Sequence, residues 1–360
     1  MRQSARNYKR VVIKIGSSLF FSEREGLDNR LFSALTEQIN RLTENGKEVI
    51  VVSSGAIALG MALLHLKSRP KELPVLQACA AVGQNALMDN YSRMFQAHGI
   101  RCGQVLLTWD DFNDRTRSLN AKNTLLTLLK FKCVPIINEN DAVSTDEIKL
   151  GDNDQLSARV ASSLVAADLL IILSDVDGLL DRDKNLVRRV DEITPQIKAL
   201  ACPTSKKTCI GGMITKIEAA RICVESGFAC VIAHGRQKSI ITDIVADPQA
   251  QGDWTLFVPK ARSLAARKRW IAFGTKPKGA IIIDEGAKSA LLNKKSLLAV
   301  GVVAVEGTFA SGDTVSVVTT GAAQVATGKV GISSRTLAEI KGKRFDKEVI
   351  HRDNIVIVNQ

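Results

Sequence analysis

Five short clusters carry residue types suited to handling anions. The first is Lys14-Ile15-Gly16-Ser17-Ser18. A lysine at the end of a strand reaches a phosphate, and a glycine beside it lets backbone N–H groups come close to an anion; the competing reading is a surface lysine followed by a turn. The second, Ser53-Ser54-Gly55-Ala56, opens a helix whose N-terminus suits a carboxylate or phosphate, or is simply a serine N-cap. The third is double: Asn138-Glu139-Asn140-Asp141-Ala142-Val143, then Gly151-Asp152-Asn153-Asp154. Loop turns and N-caps use Asn and Asp as well, but two such clusters in one connection exceed what capping one helix requires. They suit an ammonium group, the orientation of lysines, or Mg²⁺ held through water. Ser174-Asp175-Val176-Asp177-Gly178 reads as a nucleotide contact or a hairpin turn. In Ile210-Gly211-Gly212-Met213-Ile214-Thr215-Lys216 a glycine pair precedes a helix, an arrangement that cradles phosphates and aims Lys216 at a transferring group.

These clusters need a frame. Val11–Ile15, Glu48–Val52, Gln104–Leu107, Val134–Ile137, Leu169–Leu173 and Ala229–Ala233 read as buried strands. Helical patterns fall between them, at Asn29–Asn45, Leu156–Val165 and Met213–Glu225 among others. Such alternation predicts an α/β domain with a mostly parallel sheet sandwiched by helices. Ligands of such sheets bind beyond the carboxyl ends of the strands, where the clusters lie. The pattern changes after Asp247: a turn-rich stretch and the basic run Arg262–Arg269 lead to short β-type segments punctuated by glycines, with one short helix at Ala287–Leu292. The expected division is residues 1–250, a linker over 251–269, and a small β-rich, barrel-like domain over 270–360.

Composition narrows the field further. The 360 residues carry 49 Lys and Arg against 37 Asp and Glu, a net charge of +12. Residues 261–360 hold 16 basic and 8 acidic side chains, so the tail alone is +8. A basic surface attracts RNA, nucleotides and small acidic substrates alike. The seven cysteines show no C-x-x-C spacing and the four histidines are scattered, which argues for reduced thiols and against zinc. With no apolar signal core at the N-terminus and no apolar run of membrane-spanning length, a soluble, cytoplasmic protein is expected. P-loop and G-x-G-x-x-G fingerprints are absent, which removes support from those nucleotide folds.

Together, Lys-x-Gly-Ser-Ser, Ser-Ser-Gly-Ala-Ile, Ile-Asn-Glu-Asn-Asp-Ala-Val, Gly-Asp-Asn-Asp and Gly-Gly-Met-x-Thr-Lys, in this order, resemble the glutamate 5-kinases of the amino acid kinase family. The tail, with Lys268-Arg269-Trp270 and Asp284-Glu285-Gly286-Ala287, resembles a PUA domain. The resemblance implies transfer of a phosphoryl group from ATP, with Mg²⁺, to the side-chain carboxylate of L-glutamate. It assigns Lys14, with Gly16 and Ser17, to the ATP phosphates, and Ser54, Asp141 and Asn153 to glutamate, with Gly55 and Asn138 nearby. Ser174 and Asp175 would lie against the nucleotide. Gly211, Gly212, Met213, Ile214, Thr215 and Lys216, with Ile210 ahead of them, would frame its phosphates. Asp154 would organise the catalytic lysines Lys14 and Lys216, assisted by Asp152. The resemblance further implies a homo-oligomer and feedback inhibition by proline. Two departures stand out: Ser205-Lys206-Lys207-Thr208-Cys209-Ile210 replaces a glycine-rich approach, and Ile214 replaces a small residue. The alternatives are a sister kinase acting on another acidic substrate and an RNA-binding or RNA-modifying protein acting through the tail.

Overall fold

The computed structural model of the chain describes residues 8–22, 26–144, 153–201, 212–259, 266–275 and 277–357. It divides into two compact units, Met1–Ser263 and Leu264–Gln360.

The first unit is built on an eight-stranded sheet. Its strands are β1 (Arg10–Ile15), β2 (Glu48–Ser53), β3 (Arg101–Leu107), β4 (Cys133–Glu139), β5 (Leu169–Ser174), β6 (Arg189–Val190), β7 (Ala229–His234) and β8 (Trp254–Phe257). They pair in the order β3-β4-β2-β1-β5-β7-β8-β6. All pairs are parallel except β7 with β8. The central strands are apolar on both pleats because both faces are covered. Val11, Ile13, Val49, Val51, Leu169 and Ile171 join one core, while Val12, Ile50, Leu170 and Ile172 on the alternate pleat are equally buried. Completely burying one such side chain contributes roughly 1.5–3 kcal/mol.

Around the sheet run α1 (Asn29–Glu44), α2 (Ala56–Leu63), α3 (Leu73–Gln96), α4 (Arg115–Lys130), α5 (Asn153–Arg159), α6 (Met213–Glu225) and α7 (Ile240–Ala246). In α1, Phe32, Leu35, Ile39 and Leu42 fall on one face at helical spacing and are buried. Asp28 caps that helix by accepting the Leu31 N–H at 3.0 Å. Helices α2 and α3 approach unusually closely, and two glycines permit it. A Cβ at Gly60 would lie 1.8 Å from the Cys79 carbonyl oxygen, and one at Gly83 1.8 Å from that of Ala56. No larger residue fits either position without moving backbone.

Three local features differ from expectation. The helix expected over Leu156–Val165 begins earlier, at Asn153, and its last turn, Val160–Leu164, is a wide π-type turn. Strands β6 and β8 were not read from the sequence. The first is two residues long, and the second lies within the stretch read as linker. Trp254 and Phe257 are nevertheless buried in β8, which pairs with β7. Elsewhere the expected strands recur with an extra residue or more at an end.

In the second unit, β9 (Gly279–Ile283), β10 (Val302–Gly307), β11 (Thr314–Thr319), β12 (Gln324–Lys329) and β13 (Ile355–Ile357) form one sheet in the order β10-β9-β11-β12-β13. Ile281, Ile283, Val315, Val317 and Ile350 fill its core. The expected short helix is present as α8 (Glu285–Leu292), capped by Asp284, which accepts the Ala287 N–H at 2.7 Å. A further helix, α9 (Ser334–Ile340), was not anticipated; Ser333 caps it and Leu337 anchors it in the core. The five cysteines among the described residues are free thiols.

Candidate active site

Parallel strands leave their carboxyl ends on one edge of the sheet, and the polar clusters follow from that edge. In register, Lys14 of β1 lies opposite Val52 of β2 and Ile172 of β5. Lys14 is only 7% exposed, and Lys216, in the first turns of α6, is likewise 7% exposed. A buried ammonium needs a partner. Both share one: Lys14 Nζ lies 2.7 Å from Asp154 Oδ1, and Lys216 Nζ lies 3.2 Å from Asp154 Oδ2. Thr215 donates its hydroxyl to the same Oδ2 at 2.8 Å. Burial by itself would push the Asp154 carboxyl up. The two ammonium charges and these hydrogen bonds outweigh that and bring it down to about 2. Two cations against one anion leave the cluster with a net charge of +1.

Glycines shape this corner. The Gly16 N–H is committed to the Leu173 carbonyl at 3.1 Å, so this residue contributes room rather than a free donor. A Cβ there would sit 3.3 Å from that carbonyl and 3.7 Å from Lys14 Nζ. Gly55 (φ 107°) caps α2 with Ser17 alongside, and Gly212 (φ 87°) caps α6. Both need the left-handed backbone that glycine adopts at least cost. Lys216 Nζ also donates to the Gly212 carbonyl at 3.2 Å, which ties the lysine to the loop before its helix.

One residue before Asp154, the chain builds a chain of amides. Asn153 is 1% exposed, and its Nδ2 donates to Ser54 Oγ (2.9 Å), the Ser53 carbonyl (3.0 Å) and Asn138 Oδ1 (2.8 Å). The Glu139 N–H donates to the same Asn138 oxygen at 2.9 Å. Asn138 Nδ2 in turn donates to Gln84 Oε1 at 2.8 Å. Each amide's orientation is thereby fixed by the one before it. Behind them, Tyr91 donates its buried hydroxyl to Ser53 Oγ at 2.9 Å.

Gln84, at the end of these amides, lines a cavity of about 320 Å³ together with Ala56, Glu139, Asn140 and Asp141 among others. Asp141 Oδ1 and Asn153 Oδ1 are buried acceptors with no hydrogen-bond partner. The Asp141 carboxyl is pushed up to about 7, first by burial and then by the charge of Glu139, with Arg69 opposing. Glu139 itself accepts the Ser144 hydroxyl. Buried, unfilled acceptors beside two carboxyl groups form a receptacle for a cation with several N–H donors.

The structure thus brings Lys14, Asp154, Thr215 and Lys216 into one contact set, and Ser54, Asn138 and Asn153 into another. Ser174 and Asp175 hydrogen-bond each other at 3.0 Å at the end of β5, with Ser174 buried and Asp175 exposed. Met213 and Ile214 begin α6 and are half-buried. Asp152, Ile210, Gly211 and the altered approach over 205–210 lie outside the described residues. Sequence reading missed Gln84 and Glu139. Glu139 sat unremarked inside a quoted cluster, and Gln84 follows the apolar run Ala80-Ala81-Val82-Gly83 on a helix that drew no attention.

Comparison with known proteins agrees with this architecture. The amino acid kinase family matches residues 9–234 and the PUA domain matches residues 279–352. A glutamate 5-kinase of Paraburkholderia phymatum is 44% identical over 99% of this chain and 100% of its own. A glutamate 5-kinase of Caldanaerobacter subterraneus subsp. tengcongensis is 43% identical over 98% of each. Among solved structures, Giardia carbamate kinase superposes with a TM-score of 0.50 at 17% identity, covering 70% of this chain and 99% of its own, a likeness of fold. The chain belongs to the amino acid kinase family, among its glutamate 5-kinases, and carries a C-terminal PUA domain.

Proposed function

We propose that this chain transfers the γ-phosphoryl group of ATP to the side-chain carboxylate of L-glutamate, giving L-glutamyl 5-phosphate and ADP, the first step of proline biosynthesis. The observation that carries the reading is Asp154, holding Lys14 and Lys216 on one carboxylate next to Asn153 and its amide contacts. A glutamate side chain has a pKa of about 4.3 and is already ionised at neutral pH. The nucleophile needs no base. A carboxylate oxygen bonds to the γ-phosphorus as the bond to the bridging oxygen breaks, and that electron pair leaves with ADP.

What opposes the reaction is repulsion between two anions. At about 4 Å and an effective dielectric of 20, one pair of unit charges contributes roughly 4 kcal/mol. Lys14 and Lys216 offset that repulsion and stabilise the charge spread over the transferring group. Asp154 holds both ammonium groups in place before substrate arrives, so little reorganisation remains for the reactive moment. In this reading the α-ammonium of glutamate takes the open acceptors of Asp141 and Asn153, with Ser54 and Asn138 fixing the amide and Gly55 at the adjoining helix start. Gly16, Ser17, Ser174, Asp175 and the first turn of α6 would face the nucleotide.

Among the described residues no group of three or more His, Cys, Asp or Glu side chains could hold a metal ion. Asp154 is taken up by its lysines. Mg²⁺ is therefore proposed as part of the substrate, bound to the phosphates of ATP, where it neutralises charge. No helix among the described residues is long and apolar enough to cross a membrane. A cytoplasmic location, homo-oligomeric assembly and inhibition by proline complete the proposal and rest on family membership alone.

Hydroxylamine trapping tests it directly. With glutamate, ATP and Mg²⁺, the purified chain should form γ-glutamyl hydroxamate in step with ADP release. ADP release without hydroxamate, or release equally supported by aspartate or acetylglutamate, would refute the assignment.

A further inference from the structure

Gln84 is the end of the amide relay, and nothing so far gives it a task. The residue is 9% exposed. Its Oε1 is committed to Asn138 Nδ2 at 2.8 Å, which fixes the direction of the amide and leaves Nε2 as the free end. That Nε2 is buried without a hydrogen-bond partner, on a side chain that lines the cavity shared with Ala56 and Asp141. An amide nitrogen carries two N–H donors, and a buried donor left without a partner is destabilising.

The position is built, not incidental. Gly83, the preceding residue, lets α3 press against the first turn of α2 so closely that any Cβ would strike the Ala56 carbonyl. This contact carries Gln84 to the mouth of α2, beside Asn138, rather than leaving it a helix diameter away. The cavity lining therefore carries opposite polarities, an unfilled acceptor on Asp141 and unfilled donors on Gln84, and a further unfilled acceptor lies on Asn153, joined to Gln84 through Asn138. A zwitterion, with an ammonium and a carboxylate on one carbon, matches that division. A dicarboxylate lacking the amine, or an amine lacking the second carboxylate, leaves one set buried and unpaired.

We infer that Gln84 is a specificity-determining residue that donates through Nε2 to the α-carboxylate of the amino-acid substrate while its Oε1 holds Asn138, and through it Asn153, in the binding orientation. The inference rests on the proposed glutamate site. It makes Gln84 both a contact and a positioning residue, and the two roles separate by substitution. Gln84→Met keeps the length and removes both functions. Gln84→Glu keeps an acceptor for Asn138 but, once ionised, removes the donors and sets a negative charge against the α-carboxylate.

The experiment measures KM for glutamate, KM for ATP and kcat for both variants and the unaltered chain by hydroxamate formation, above neutral pH, with a thermal melt of each. Expected is a rise in glutamate KM of about tenfold for Gln84→Met, a rise at least as large for Gln84→Glu, and ATP KM unchanged. A Gln84→Glu variant with ordinary glutamate KM would overturn the α-carboxylate contact, whatever Gln84→Met does. Ordinary KM in both variants would overturn the inference entirely. A loss of kcat with KM for both substrates unmoved would likewise count against it. If Gln84→Met does not fold, Gln84→Glu decides alone. Absence of hydroxamate from the unaltered chain is a separate result and defeats the proposed activity instead.

Discussion

Asp154 and Asn153 are neighbours on one helix, yet the polar groups around them are satisfied to opposite degrees. Around Asp154 the charges are matched: Oδ1 lies 2.7 Å from Lys14 Nζ, held by the ion pair rather than by an aligned hydrogen bond, and Oδ2 meets Lys216 and Thr215. Around Asn153 the matching stops halfway. Its nitrogen is used three times over, while its own oxygen, Asp141 Oδ1 and Gln84 Nε2 are buried and unfilled. The contrast separates two jobs. A closed charge cluster is pre-organised for phosphoryl transfer and gains little from being rearranged. An open set of buried donors and acceptors is completed only by a ligand of the right polarity, which makes it a discriminator among substrates.

Breaking the closed half should have the largest consequences. Lys216→Ala leaves Asp154 paired with Lys14, so the fold should persist while kcat falls by about 10³-fold, the scale of losing a cation that stabilises a transferring phosphoryl group. Hydroxamate formation with a circular-dichroism melt checks both halves of that statement, and turnover at the unaltered rate removes Lys216 from the mechanism. Asp154→Asn should act differently, because it strands two buried ammonium groups. Removing one partner of a buried ion pair costs about 3–5 kcal/mol, so a lower Tm is expected along with lost activity. Added ATP should raise that variant's Tm by more than it raises the unaltered chain's, since phosphate oxygens replace the missing carboxylate. Equal thermal shifts would show that the nucleotide does not meet this cluster.

Legibility in the sequence follows the same division. Lys14, Asp154 and Lys216 are conspicuous because charged residues flanked by glycines, at strand ends and helix starts, are costly without a purpose. Strands such as Val11–Ile15 and Leu169–Leu173 were readable because both pleats are apolar. What escaped was set by packing between elements distant in the chain. Gln84 is 54 residues from Asn138, and its importance depends on Gly60 and Gly83 allowing α2 and α3 to touch. Strand β8 escaped because Pro248 to Asp253 reads as turn, and four residues after a turn carry too short a period to betray a sheet edge. Glu139 escaped because its effect is on the charge of its neighbour Asp141, which only burial makes strong.

The open half yields the smaller, sharper effects, and both concern Asp141. Asp141→Asn should raise KM for glutamate by roughly ten- to a hundredfold, with kcat at saturation less affected, because a neutral amide replaces the anion that faces the ammonium. Since burial and Glu139 hold this carboxyl up to about 7, the ammonium must displace a proton below that pH. The glutamate KM of the unaltered chain should therefore fall as pH rises from about 6 towards 8, approaching tenfold per unit at the acid end. The Asn variant should show a flat, high profile.

Stability should move the other way. Between the ordinary carboxylate range near 4 and about 7, the folded chain keeps a proton that the unfolded chain has released. Raising the pH through that window therefore weakens the fold, and above about 7 the site is held against an ionised carboxylate one of whose buried oxygens has no hydrogen-bond partner. Without substrate at about pH 8, Asp141→Asn should melt higher than the unaltered chain, by about 2–4 °C for each kcal/mol relieved. Glutamate should then raise the Tm of the unaltered chain and leave the variant's almost unmoved. A variant less stable at this pH would mean that Asp141 is a structural residue whose acceptors are satisfied, and the contrast between the two halves of the site would fail.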